Sequence, residues 1–265
     1  MDIVLYLALG CVGGFLAGLF GIGGGLIIVP TLVWVFRHQG YDMSVAMHMA
    51  LATSLATIVV TGISSARAHH QQHHVHWPTA KALTPFLVLG SVSGVVVAHF
   101  LTGQLLGRLF VGFLILMSVY MWFSPEPKQH RFRVANWRWK FASTLMGVLS
   151  ALLGIGGALF MVPFLKSKGM AIRYAIGTAA FCGVPLAVTG TIGYMLGGGA
   201  EQPLPVYTIG YVNLLAFACI VLTSSHFSKV GAKLVTKVPP QRMRRGFAVF
   251  IWVLAANLIY KMASN

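Results

Sequence analysis

The chain has 265 residues, 57% of them hydrophobic and 9% charged, with a mean hydropathy of +0.80. Soluble domains carry about 25% charged residues, so the composition excludes a soluble globular protein and reads as a polytopic membrane protein. The net charge is +15, from 19 Lys and Arg against 4 acids. These cations sit in short loops between apolar runs, so they read as topology signals and not as a nucleic-acid surface.

The first apolar stretch covers residues 3–36. A bilayer-spanning helix needs only about 20 residues, so this is either one overlong tilted helix or a helical hairpin turning at residues 21–25. It lacks a basic leader and a small-residue cleavage site, and reads as a retained membrane segment. A helix follows at 44–66, then a polar loop at 67–81 holding five histidines, then helices at 83–102 and 109–123. Residues 125–140 are a basic, polar linker with Pro125 and Pro127. They separate a first membrane repeat, 1–124, from a second, 141–265.

The second half repeats the order. An apolar segment at 141–165 is interrupted at 154–157, and a basic loop carries Lys166, Lys168 and Arg173. A helix at 174–196, a turn at 197–205, a helix at 206–227, a basic proline-containing loop and a helix at 246–262 complete it.

The two apolar segments are copies of one stretch. Residues 14–32 read GFLAGLFGIGGGLIIVPTL and residues 147–165 read GVLSALLGIGGALFMVPFL, identical at 11 of 19 positions. Such a spacing exceeds solenoid periods of about 20–50 residues and reads as a duplicated half-protein. Charge counting separates the hairpin from the single crossing. With single crossings the Lys and Arg divide 8 to 11 between the two faces; with hairpins they divide 16 to 3, as the positive-inside rule expects. The predicted fold class is therefore an all-α polytopic membrane protein with two inverted-topology repeats. Each is a glycine-broken helical hairpin followed by three transmembrane helices. The basic loops are expected on the cytoplasmic side and both termini on the periplasmic side of a bacterial inner membrane.

Glycine breaks at matching places in two halves point to a transporter's binding site. A helix restarting after Gly23, Gly24 and Gly25, or after Gly156 and Gly157, would aim free N–H groups at the bilayer centre, where they suit an anion. The competing reading is close helix packing through glycine faces; the matched Pro30 and Pro163 favour the site. The element lacks the Lys-Ser/Thr of a phosphate loop.

The repeated Gly-Ile-Gly-Gly…Val-Pro element resembles the TauE/SafE family of membrane transporters, the sulfite exporter family. So do Ala52-Thr53-Ser54-Leu55, the run from Ser65 to His70, Val75-His76-Trp77 and Gly231-Ala232. The resemblance covers nearly the whole chain. It implies transport, usually export, of sulfur-containing or related organic anions such as sulfite, sulfonates or sulfoacetate. Ala158 departs from the first copy's Gly25, so the half-sites are not equivalent.

No Asp or Glu falls within a predicted helix, whereas a cation carrier ordinarily needs intramembrane carboxylates. Thr53, Ser54 and Thr57, with Thr178 as the counterpart of Thr53, are the candidate hydroxyl contacts; bonding to the preceding helical turn is the alternative. His48 and His99 are the candidates for proton coupling, or interfacial hydrogen-bonded histidines. The loop histidines 69, 70, 73, 74 and 76 have no Cys or acidic companion and do not match a zinc spacing, so neither metal nor cofactor is expected. Expected partners are a small anionic substrate and membrane lipid, with a homodimer allowed and nucleic acid excluded. An uncoupled, channel-like anion pore is the alternative function. An intramembrane enzyme would need a catalytic constellation, and no carboxylate or Cys/His pair is visible.

Overall fold

The computed structural model describes residues 2–20, 24–123, 137–198, 207–235 and 240–263. The first apolar stretch is two helices, α1 (Asp2–Phe20) and α2 (Gly25–His38). Its open end is closed by the Gln39 amide donating to the Tyr6 hydroxyl at 3.0 Å, with the Tyr6 and Phe36 rings 6.4 Å apart. The start of α1 thus lies beside the end of α2, and the pair is a hairpin. The second copy, α6 (Trp137–Leu153) and α7 (Ala158–Ser167), closes the same way, Trp139 lying edge-on to Phe164 at 5.4 Å. Pro30 and Pro163 are each the sixth residue of the short second helix, where each removes one backbone hydrogen bond.

The remaining elements are α3 (Met43–Gln71), α4 (Trp77–Phe100), α5 (Gly103–Phe123), α8 (Ile172–Gly197), α9 (Leu214–Val235) and α10 (Pro240–Ala263). By length and composition, α3, α4, α5 over Gly103–Tyr120 and α8 can each cross a membrane. Large apolar side chains such as Leu89, Val96, Leu116 and Leu222 are exposed on the outside of the bundle, as lipid-facing positions are.

Several boundaries differ from the sequence reading: α4 and α5 each begin six residues earlier than expected and α9 runs eight residues further. Helix α3 continues five residues past Ala66 because a hydrogen-bonded stop forms at its end. The His73 amide donates to the His70 carbonyl and the His74 amide to the His69 carbonyl, with His73 at φ +56°, the Schellman arrangement. The polar loop is thereby reduced to residues 72–76. Helix α9 starts at Leu214, eight residues after the predicted start at 206, because β1 (Thr208–Ile209) and β2 (Val212–Asn213) form a small antiparallel ladder before it. The C-terminal helix starts at Pro240, six residues earlier than predicted. Most of the expected linker, residues 124–136, lies outside the described residues.

The two halves interlock. Helix α1 packs mainly on α9 of the other half, and α6 mainly on α4. Gly14 lies against the backbone of Ser224, and its copy Gly147 against Leu87 and Gly90. The long helices α3 and α8 cross at the centre, α5 meets α10, and α2 and α7 lie on α3 and α8 respectively. Exchanging α1–α5 for α6–α10 turns every one of these pairs into another of the set. The exchange is imperfect: α4 packs on α8 more extensively than α9 does on α3, and α5 packs on α3 where α10 makes no comparable contact with α8 among the described residues.

Candidate functional site

The two glycine breaks touch. A methyl group on Gly25 would stand 2.8 Å from the Gly154 carbonyl oxygen and 3.2 Å from Ile155 Cα, so the start of α2 and the turn before α7 are in backbone contact. Among the described residues, each break contains one residue in the left-handed region, Gly24 at φ +79° and Gly154 at φ +62°, conformations that a side chain disfavours. These are not equivalent positions, since Gly24 aligns with Gly157, whose φ is −50°. No side chain caps either α2 or α7. The first-turn amides of both helices therefore carry their partial positive charge into the middle of the bundle.

Helix α3 covers both breaks. Leu51 lies on Gly154, and Ile58 fills against Gly25 and Gly156. The Ser54 hydroxyl donates to the Gly154 carbonyl at 2.8 Å, and the Thr57 hydroxyl to the Ser54 carbonyl at 2.7 Å. A hydroxyl has one hydrogen, so in this conformation both are committed within the protein.

Thr53 and Thr178 are equivalent in another way. Thr53 Oγ1 accepts from the amide of Asn213, the residue before α9, at 3.0 Å. Thr178 Oγ1 accepts from the amide of His76, the N-cap of α4, also at 3.0 Å. Asn213 Oδ1 then accepts from the Ala216 amide at 2.8 Å, and His76 Nδ1 from the Thr79 amide at 3.4 Å. Both threonines are fully buried. Each ties a central helix to the start of the helix that the other half's hairpin packs on.

The remaining predicted residues divide. Gly23 lies outside the described residues. Gly24, Gly25, Gly156 and Gly157 are at the breaks. His48 is buried near the start of α3, with Nδ1 2.6 Å from the Ser44 carbonyl, Nε2 3.1 Å from the Ala98 carbonyl, and its ring stacked on Tyr211 at 5.0 Å. Both nitrogens face carbonyl oxygens. His99 packs on Gly197 at the end of α8. The structure therefore gathers the glycines and Ser54 at the centre and places His48 and His99 where α3 begins and α4 ends.

The histidine segment is partly docked. His74 is edge-on to Tyr174 at 5.9 Å, His70 to Trp77 at 5.4 Å, and the His74 carbonyl lies against Gly177. Among the described residues, no three His, Cys, Asp or Glu side chains form a group able to hold a metal. Sequence reasoning missed Leu51 and Ile58, which cover the breaks, and Asn213, whose capping role shows only once β2 is seen. The repeat offset, which pairs Thr53 with Thr178, was the signal that could have led to the last.

The family described as Sulfite exporter TauE/SafE matches residues 6–258. A probable membrane transporter protein of Haemophilus influenzae is 37% identical over 261 residues, 98% of each chain. A probable membrane transporter protein of Methanocaldococcus jannaschii is 28% identical over 247 residues, covering 91% of this chain and 89% of its own. Another from Bacillus subtilis, YdhB, is 26% identical over 253 residues, 93% and 95% of the two chains. No solved structure matches. The apolar helices, the paired glycine breaks and a family match spanning almost the entire chain lead to one conclusion: this integral membrane protein belongs to the TauE/SafE sulfite exporter family of membrane transporters.

Proposed function

We propose that the protein is a secondary transporter that exports sulfur-containing or related organic anions, of the sulfite, sulfonate or sulfoacetate class, across the bacterial inner membrane. The observation that carries this reading is the backbone contact between the two glycine breaks, which sets two uncapped helix starts at one place inside the bundle. Unpaired amides at a helix start bind anions without a side-chain cation. Irregular backbone at membrane depth is tolerated where it is buried in protein or lines a cavity. The anion sits between the starts of α2 and α7.

The 16 to 3 division of Lys and Arg supports inverted repeats, 1–124 and 141–265 about the 125–140 linker, with cytoplasmic basic loops and periplasmic termini. Access alternates as the hairpins α1–α2 and α6–α7 rock against α3 and α8. Protons, where they couple, act through His48 or His99.

The test is counterflow of labelled sulfite in vesicles containing the purified protein. Saturable uptake accelerated by sulfite on the far side is the expected result. Linear flux without acceleration indicates a pore. Gly24→Leu and Gly157→Leu abolish transport while leaving the protein inserted, because the added side chain blocks the approach of an anion to the amides. Normal transport by both variants rejects the site.

A further inference from the structure

Ser150, on α6, is fully buried and its hydroxyl has no hydrogen-bond partner. A helical serine ordinarily donates to the carbonyl one turn earlier. Ser143 and Thr144 on the same helix do so, to Trp139 at 2.8 Å and Lys140 at 3.2 Å. Ser150 does not. A buried polar group left unpaired is uncommon and calls for an explanation.

The surroundings supply one. A methyl group on Gly157 would meet Leu186 Cδ1 at 3.3 Å and Ser150 Oγ at 3.9 Å, so the hydroxyl and a leucine of α8 flank the uncapped start of α7, a helix of 10 residues. Gly183 of α8 faces the same helix start, and a methyl group there would be in ordinary contact with the Gly157 nitrogen at 3.9 Å. The unpaired hydroxyl, the start of α7 and Gly183 of α8 thus stand together in one closely packed place. The first repeat has no hydroxyl at the equivalent position. Ala17 stands at the position of Ser150. Ile58, five residues after Thr53 as Gly183 is after Thr178, packs on Gly25 and Gly156.

We propose that Ser150 donates its hydroxyl hydrogen directly to the transported anion. The head group is an oxyanion of the sulfite or sulfonate type, held at the second half-site by Ser150 and the first amides of α7 when the hairpin moves away from α8. The first half-site, with Ala17 in place of Ser150, contributes helix charge without that hydroxyl. This assignment rests on the transport function proposed above, and it adds which half holds the head group and through which side chain.

The experiment is labelled-sulfite and labelled-methanesulfonate counterflow in vesicles, comparing wild type with Ser150→Ala, Ser150→Thr and Ser143→Ala, alongside thermal unfolding of each in detergent. Loss of one hydrogen bond to a charged ligand raises KM about tenfold or more. Ser150→Ala is expected to show that rise with an unchanged or higher Tm, since it removes an unpaired buried hydroxyl. Ser150→Thr restores the wild-type KM, and Ser143→Ala leaves KM unchanged. Gly183→Val, which sets a side chain against the Gly157 nitrogen, is expected to stop transport of both probes with insertion intact. Wild-type counterflow together with an unchanged KM in Ser150→Ala overturns the assignment alone. A lowered Tm with unchanged KM shows a structural hydroxyl and also overturns it. Absence of saturable counterflow of either probe in the wild type overturns the transport function and this assignment together.

Discussion

Ser54 on α3 donates its only hydroxyl hydrogen to the carbonyl of Gly154, 2.8 Å away and 100 residues later in the chain. The bond fastens a central helix of the first repeat to the glycine break of the second. Ser54→Ala leaves that carbonyl without the bond at a cost of about 1–3 kcal/mol, read as a lower Tm in detergent. Thr57→Val removes only a bond within α3 and costs less. Equal losses in the two variants would mean that the Ser54 bond has no special part in holding the break.

The repeat copies carry Gly25 and Ala158 at one aligned position, and the structure says which exchange is tolerated. A methyl group on Gly25 would press on the Gly154 carbonyl at 2.8 Å and on Ile58 at 2.9 Å. Gly25→Ala forces backbone apart and is expected to cost about 1–3 kcal/mol with loss of transport. Ala158→Gly costs at most about 1 kcal/mol in helix propensity and keeps transport. Unfolding and counterflow on both variants check this; tolerance of Gly25→Ala would show that the breaks do not touch as described.

Thr53 and Thr178 accept from buried backbone amides at the starts of α9 and α4. Valine has the same shape but no acceptor, so Thr53→Val and Thr178→Val each strand an amide, at about 1–3 kcal/mol. Serine at either position keeps the acceptor and recovers most of the loss. A serine variant as unstable as the valine one would assign the effect to the methyl group instead.

Topology is checked with single cysteines in a variant lacking Cys11, Cys182 and Cys219. Inverted hairpins put Gln72 and Lys168 on the basic, cytoplasmic side and His38 on the other. In intact cells a membrane-impermeant thiol reagent should label His38→Cys alone. Labelling of Gln72→Cys or Lys168→Cys without opening the membrane contradicts the inverted arrangement.

His73 is the non-glycine residue in the left-handed region among the described residues, at the stop of α3. The stops of α2 and α7 use Gly40 and Gly169 at the equivalent place. His73→Gly is expected to stabilise the protein by about 1 kcal/mol, seen as a raised Tm. A fall would mean that the imidazole makes a contact worth more than the strain.

The glycine breaks were legible because they interrupt apolar runs too long for one crossing and occur twice. The charge division pointed to hairpins for a reason independent of the glycines, and Tyr6 with Gln39 and Trp139 with Phe164 close them. What sequence alone could not show was contact between the copies. Gly25 and Gly154 are far apart in the chain, and no local pattern states that Ile58 covers both breaks. The ladder at Thr208–Asn213 is too short for alternation to register, and the stop at His73 uses a residue that ordinarily does not mark a helix end. Ser150 looked like any serine in an apolar helix. Only its lack of a carbonyl partner sets it apart from Ser143, and that is a fact of geometry.

The interlocking of the halves bears on how the protein is made. Helix α1 ends at Phe20, but α9, which covers its Gly10 and Gly14 face, does not begin until Leu214. During synthesis that face waits in lipid or against the insertion machinery through most of translation. The first five helices therefore cannot settle as a finished unit on their own. A ribosome halted after Phe123 should yield inserted but protease-sensitive helices, and maturation of the N-terminal hairpin should date from the emergence of α9.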